Sequence, residues 1–253
     1  MFYRFTSDGR QKTCDLKDVY SGALVLCGGH PSLANEPLEL LDRPGIVTMA
    51  MNNAALTVRP NLWVCADHAT CYAKSILHDP AAIKFARLLY WNDPLPGGEP
   101  WYHAPSTFFY GVSDTAFDSG NLLDDHFLFA WWKNVFIISL QLAYHLGFRT
   151  IYLAGAGFSV PGGRHYAFDH ELTPEQSHYS LQTYGAVVDQ VRKAMPHFEE
   201  RGLSLISCTP DSALNAFLPF MPLRDAIERI ASAHPERSTA GLRHASDFLA
   251  DAE

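Results

Sequence analysis

Six short apolar runs, separated by stretches of helical spacing, leave this chain few ways to fold. The runs are residues 22–27 (GALVLC), 46–51 (IVTMAM), 62–66 (LWVCA), 83–91, 150–153 and 203–208, and polar or glycine-rich turns follow them. Runs this short and this apolar predict strands buried on both faces. Between them the period changes. After residues 22–27 comes GGHPSLANEPLELL, a glycine turn and then helical spacing. Val135, Ile138, Leu142 and Leu146 form a helix stripe ending at Gly147, a natural C-terminal cap. A second helix is predicted over residues 180–200, with Val187, Val188, Val191, Ala194 and Met195 on its apolar side, and Leu223, Ala226, Ile227 and Ile230 mark a third. Strands alternating with helices describe an open, mostly parallel α/β sheet, and ligands of such sheets bind at the carboxyl ends of the strands.

Residues 92–125 break this rhythm. Pro94, Pro96, Gly97, Gly98 and Pro100 interrupt regular structure, and eleven aromatic residues follow between Trp101 and Phe136. The stretch is either a lid over a site or a satellite core. The sequence thus predicts one domain over residues 1–235, with a lid-like insertion at about 92–130, a second mobile loop at about 158–180, and a loosely held tail over 236–253.

Composition narrows the class. The 253 residues are 47% hydrophobic and 18% charged, which is ordinary for a globular protein. With 19 basic against 27 acidic residues the formal charge is -8, which disfavours a nonspecific nucleic-acid coat or an anionic-membrane binder. The excess acid is local: residues 79–125 carry two bases and seven acids, and 225–253 carry three and six, while 1–78 and 126–224 are balanced. Five cysteines without a CxxC pair argue against both a disulfide framework and a thiolate zinc site. No signal-peptide core, no apolar run near ~20 residues and no N-glycosylation acceptor occur, so a soluble cytoplasmic protein is expected. A homo-oligomer is left open.

The strand-end loops hold the candidate chemistry. Gly28, Gly29, His30 and Ser32 precede a helical stretch and could cradle a phosphate on backbone N–H groups, although Gly-Gly after a strand is often only a tight turn. Asn52, Asn53 and Asp67 suit sugar hydroxyls or a base edge, and equally suit turn chemistry. Gly155 opens a further turn, but Gly155-x-Gly157-x-x-Val160 lacks the third glycine of a dinucleotide fingerprint. Neither a GxxxxGK[ST] phosphate loop nor a DxD metal pair is present. His165, His170 and His178 crowd fourteen residues; a near-neutral histidine serves as a general base or a phosphate donor, but not at a metal-ligand spacing here.

Taken together, VLCGGHPSL, MNNAAL, CADH, LAYHLGFRTIYLAGAGFSVPGGRHYAFD, SHYS and LISCTPDSALNAF resemble the bacterial sialyltransferases of glycosyltransferase family 42 and the wider MptE-like (DUF115) group sharing their fold. The resemblance spans both charge-balanced blocks and omits the acidic insertion and the tail. It implies a Rossmann-like domain with helices on both faces and a lid over a nucleotide-sugar donor, typically CMP-sialic acid. On that pattern the first loop lies against the donor phosphate and Asn52 and Asp67 contact the nucleotide or sugar. Tyr166 holds the leaving phosphate, while Thr209, Pro210, Asp211 and Ser212 touch the cytidine. The chain departs from the pattern at His30 (a glycine in the family), at Gly157 (an aspartate) and near Ser159 and Val160, where a second phosphate-binding tyrosine is absent. The family's catalytic histidine position is Gln182 here, which leaves His178, beside Tyr179, and His165 as local bases. Lys133 stands where the family carries an arginine and a serine, and could supply their charge.

Four readings follow. The first is a metal-independent glycosyltransferase, needing no cofactor, that moves a sugar from a nucleotide-sugar donor to a glycan or other hydroxyl acceptor, with His178 as base. The second is an MptE-like pterin diphosphokinase, which needs Mg²⁺ on Asp67 with Asp93 or Asp169. The third is a nucleotide-binding protein without catalysis, and the fourth a phage-type transferase acting on nucleic-acid bases.

Overall fold

In the computed structural model the short apolar runs lie side by side as one sheet; residues 2–113, 120–124, 128–168 and 173–233 are described. The elements in chain order are β1 (Phe2–Phe5), β2 (Gln11–Cys14), β3 (Ala23–Cys27), β4 (Thr48–Met51), β5 (Leu62–Val64), α1 (Lys74–Leu77), β6 (Ile83–Arg87) and β7 (Thr107–Tyr110). They continue with β8 (Val112–Ser113), β9 (Phe129–Ala130), α2 (Val135–His145), β10 (Thr150–Ala154), α3 (Pro174–Glu200), β11 (Ser204–Ser207) and α4 (Leu223–Ala233).

Nine strands form the sheet in the order β11-β10-β3-β4-β5-β6-β7-β1-β2. The seven from β11 to β7 are parallel, and β1 and β2 close one edge antiparallel. The expected α/β class with a mostly parallel sheet is what the chain adopts. Period-two alternation sends successive side chains to opposite faces. Leu24, Leu26, Met49, Met51, Val64, Phe85, Ile151 and Leu153 pack on one face against α2 and α3. Val25, Cys27, Ala50, Trp63, Cys65, Ala86, Tyr152 and Ala154 pack on the other, with Leu223, Ala226, Ile227 and Ile230 of α4.

Helix α2 is apolar nearly all round, and Phe136 through Ala143 are buried. Its one internal amide, Gln141, is satisfied in place: Oε1 accepts from Ala130 N (2.8 Å) and Nε2 donates to the Ala130 and Ile137 carbonyls (3.0 and 3.1 Å). That pairing ties β9 to the helix. No helix among the described residues is long and apolar enough to cross a membrane.

Three expectations change. Residues 31–42 form two 3-10 turns, Pro31–Asn35 and Leu38–Asp42, instead of a helix; Pro31 and Pro37 start them, and neither turn propagates. The expected lid at 92–130 contributes β7, fully buried between β6 and β1, and Trp101 and Leu95 are buried beneath it. Strand β7 of that segment, with Leu95 and Trp101, therefore belongs to the core, while Gly97, Gly98 and Glu99 are exposed. Helix α3 begins at Pro174, six residues before the expected start, which shortens the expected mobile loop. The predicted tail at 236–253 and His170 lie outside the described residues.

Candidate functional site

The strand order reverses at β3. From there the chain runs outward through β4, β5, β6 and β7, then returns to β10 on the other side. The carboxyl ends of β3 and β10 therefore border a topological switch point, where open α/β sheets leave a crevice. A cavity of about 510 Å³ occupies it.

The floor is two glycine turns in direct main-chain contact. Gly28 N donates to Ala154 O (2.8 Å) and His30 N to Gly155 O (3.0 Å). A Cβ on Gly28 would lie 2.4 Å from Gly155 O, and Gly155 holds φ +64°, so neither position accepts a side chain. Ser32 N donates to His30 Nδ1 (3.3 Å). The amides of Gly28, His30 and Ser32 are thus engaged within the protein, and only a 3-10 turn follows. The loop shapes the cavity wall, and three of its four amides are turned to partners in the protein.

His30 is a latch between loops. Because Nδ1 accepts from Ser32 N, the neutral ring carries its proton on Nε2, which faces Ser159 Oγ at 3.1 Å. Burial pushes its pKa down, which keeps the ring neutral. The imidazole lies directly over Gly157, where a Cβ would meet ring atoms at 2.3 to 2.5 Å.

One side wall is rich in hydrogen-bond acceptors. Asn52 sits in the left-handed region (φ +48°), and Trp63 Nε1 donates to its main-chain oxygen (2.7 Å). Tyr72 OH donates to Asn52 Oδ1 (3.1 Å) and accepts from Asp67 N (3.1 Å). Asn53 Nδ2 donates to Cys71 O (3.1 Å), while its Oδ1 is buried without a partner. With the exposed Asp67 carboxylate, this wall suits ligand hydroxyl or amino donors.

The opposite wall is the loop from Phe158 to Phe168. Ala167 N donates to Gly29 O (2.8 Å), and Tyr166 stacks on Phe168 at 4.9 Å over Gly29. Phe158 meets Phe136 and Tyr184 edge-on. Burial, then the Asp67 charge, raises the Tyr166 phenol; burial, then Tyr166, pushes Tyr184 up to about 12. Both phenols stay protonated and can donate. His165 lies 2.7 Å by Nε2 from Ser177 Oγ, and its Nδ1 is buried without a partner.

Of the sequence candidates, Gly28, Gly29, His30, Asn52, Asn53, Asp67, Gly155, His165 and Tyr166 line the cavity. Others stand elsewhere. His178 is exposed on α3 with Nε2 3.0 Å from Gln182 Nε2, and Tyr179 is 55% exposed. Lys133 is exposed one residue before the cavity-lining Asn134. Thr209 is buried: its Oγ1 donates to Leu153 O (3.1 Å) and accepts from Ala156 N (2.9 Å). Ser212 Oγ donates to Ala156 O (2.7 Å). These two residues brace the floor from behind, and Pro210 and Asp211 are exposed beyond them.

Tyr72, Asn134, Phe158, Phe168 and Tyr184 also line the cavity and were not anticipated. Tyr184 carried a usable signal. Ser177, Tyr184 and Val191 are seven apart and so share one helix stripe, whereas His178 lies about 100° round from it.

No lysine or arginine among the described residues lines the cavity. Among the described residues no three His, Cys, Asp or Glu side chains converge as a metal site requires. Asp93 instead meets His68 Nδ1 at 2.5 Å, and Asp169 lies outside the described residues.

No family model matches the chain, and no curated protein matches it. Two solved structures are similar. A MAf glycosyltransferase from Magnetospirillum magneticum AMB-1 is 12% identical with a TM-score of 0.49, over 94% of this chain. The chain spans 40% of that protein's length. The sialyltransferase CstII from Campylobacter jejuni, in complex with a substrate analogue, cytidine-5'-monophosphate, is 15% identical with a TM-score of 0.48, over 79% of this chain and 85% of its own.

Proposed function

We propose that the chain is a glycosyltransferase that moves a sugar from a nucleotide-activated donor to an acceptor hydroxyl without a metal. One observation carries the reading: the strand-end turns at Gly28–His30, Asn52–Asn53, Asp67 and Gly155, and the loop that bears His165 and Tyr166, line one switch-point cavity, and two polar atoms there, Asn53 Oδ1 and His165 Nδ1, are buried and unpartnered. Asn53 Oδ1 and the Asp67 carboxylate are acceptors suited to hydroxyls of the nucleoside or donor sugar. The Tyr166 and Tyr184 phenols, kept protonated, would donate to the departing phosphate as its charge grows.

The base is assigned to His165 rather than to the exposed His178. We assign the Nε2–H to Ser177 Oγ, which leaves the buried, unpartnered Nδ1 lone pair of this cavity-lining residue to act as the base. It takes the acceptor's proton as the acceptor oxygen bonds to the anomeric carbon. The bond from that carbon to the phosphate oxygen breaks, and the nucleotide leaves with the electron pair.

Thermal shifts with CMP, UDP, GDP and ATP, each with and without Mg²⁺, test the reading. A shift with CMP or another nucleotide that is indifferent to Mg²⁺ is expected. An ATP shift that requires Mg²⁺ would replace it with the diphosphokinase, and no shift with any nucleotide would overturn it. In a sugar-transfer assay, His165→Ala is expected to lower kcat by roughly 10²- to 10⁴-fold. His178→Ala should leave it within about twofold; a reversed order refutes the assignment.

A further inference from the structure

A substrate with negative charge finds no lysine or arginine in the cavity wall, but one lies beside it on the same edge of the sheet. Arg87 ends β6 between β5 and β7, and its guanidinium carbon stands 4.5 Å from the Trp131 ring centroid and 5.5 Å from that of Tyr90. Its Nε is buried without a hydrogen-bond partner, and no carboxylate among the described residues pairs with it. Arg149, also half-buried, is matched by contrast: it bonds Asp18 (2.9 Å) and the Tyr144 and Phe148 carbonyls. Packing against aromatic rings holds a guanidinium in place without using its in-plane N–H groups. Arg87 is therefore held in place by its rings, with its Nε unpartnered.

It lines a second, open groove of about 580 Å³ with Gln11, Leu88, Trp91, Tyr110 and Leu128 among its walls. Arg87 is the single charged residue of that lining. Two chains of contact lead from the rings around Arg87 toward the cavity. The His68 ring, next to the cavity-lining Asp67, lies 4.4 Å from Tyr90. On the other side Asn134, also cavity-lining, donates from its N to Trp131 O (3.1 Å).

We propose that this groove binds the oxyanion of an anionic acceptor, with Arg87 as its fork and the neighbouring aromatic rings as its apolar platform. The inference rests on the transferase reading for the word acceptor, and on the groove alone for the oxyanion. A planar carboxylate or a phosphate matches two parallel N–H groups of a guanidinium, and a neutral sugar does not.

Glucuronic acid, galactose 6-phosphate and galactose, titrated against the whole protein with tryptophan fluorescence as readout, separate these cases. At least one anionic sugar is expected to bind ten times more tightly than galactose or better, and which one does so identifies a carboxylate or a phosphate. Arg87→Gln should bring its affinity down to that of galactose, while the CMP thermal shift stays as in the native protein. Arg87→Lys keeps the charge and loses the fork, and is expected to lose most of the preference; it serves in place of Arg87→Gln if that variant melts early. Equal binding of neutral and charged sugars, or unchanged anion binding in the folded Arg87→Gln variant, overturns the proposal. If no variant responds to CMP while the sugar preference holds, the transferase reading fails and the oxyanion site stands.

Discussion

Gly157→Ala should damage the protein through a single contact, and removing His30 should undo most of the damage. The new Cβ would lie 2.3 to 2.5 Å from three atoms of the His30 ring, and the ring cannot turn aside without releasing Ser32 N and Ser159 Oγ. Overpacking of this kind costs about 1–3 kcal/mol. At the low end of that range, since the ring relieves the clash by turning, the two lost hydrogen bonds at about 1 kcal/mol each bring the total to roughly 3 kcal/mol. In a chain of this size that is a fall in Tm of roughly 6–12 °C. His30→Ala loses the same two bonds and the ring packing, about 2 kcal/mol. The double variant has no ring to meet the new methyl, so it should cost only about what His30→Ala costs. The coupling is then about 3 kcal/mol in favour of the pair, far outside the few tenths expected of independent sites.

Urea unfolding of the four proteins at pH 7, with the CMP shift measured on each, checks this. Additive losses near 5 kcal/mol in the double variant, or a Gly157→Ala protein as stable as the native one, would refute the steric argument.

Two further outcomes are expected. Lys84 is fully buried, and its Nζ donates to the carbonyls of Asp79, Ala82 and Pro105, while burial lowers its pKa to about 8. Above pH 8 the folded state sheds a proton that the unfolded chain keeps until about 10.5, so the native protein should gain about 1 kcal/mol between pH 8 and 9 relative to Lys84→Met; parallel pH profiles in urea would contradict this. Tyr166→Phe should lower kcat by on the order of 10² with little change in Tm, since the ring still stacks on Phe168; an unchanged kcat removes the phenol from leaving-group stabilisation.

What the sequence made legible follows from what kind of force set each feature. Strands β3, β4, β5, β6, β10 and β11 were visible because burial on both faces leaves an apolar run whatever its neighbours are. Strand β7 (TFFY) has the same character, but its Pro- and Gly-rich approach resembled a loop insertion. Only its register with β6 (Phe85 beside Phe108, Arg87 beside Tyr110) distinguishes a sheet strand from a satellite core. The hairpin of β1 and β2 was missed although Asp8-Gly9 is a turn pair, with Gly9 at φ +79°. Thr209 and Ser212 illustrate the opposite error. Hydroxyl residues at a strand end serve a ligand or the backbone equally well, and here both hydroxyls hold Ala156 in place. His165 and His178 were indistinguishable for a related reason: which one faces inward depends on the helix phase, and that was fixed only when α3 began at Pro174.

Charge, finally, works differently from its distribution along the chain. The stretch over residues 79–125 is rich in acid, yet three of its four described acids meet a basic side chain elsewhere in the fold, Asp79 at Arg59 (3.1 Å), Asp93 at His68 (2.5 Å) and Asp124 at Arg201, while Glu99 is exposed. Their charge is largely answered where it stands. Among the described residues, what reaches the cavity is one carboxylate, Asp67, the phenols of Tyr72, Tyr166 and Tyr184, and the rings of His30 and His165, with no lysine or arginine to oppose the carboxylate. A donor phosphate in such a place must be held by neutral O–H donors, whose strength depends on geometry rather than on net charge. The positive charge that matters for substrate choice then has to lie outside the cavity. Arg87, left without a carboxylate partner in a segment otherwise rich in acid, is where the fold keeps one in reserve.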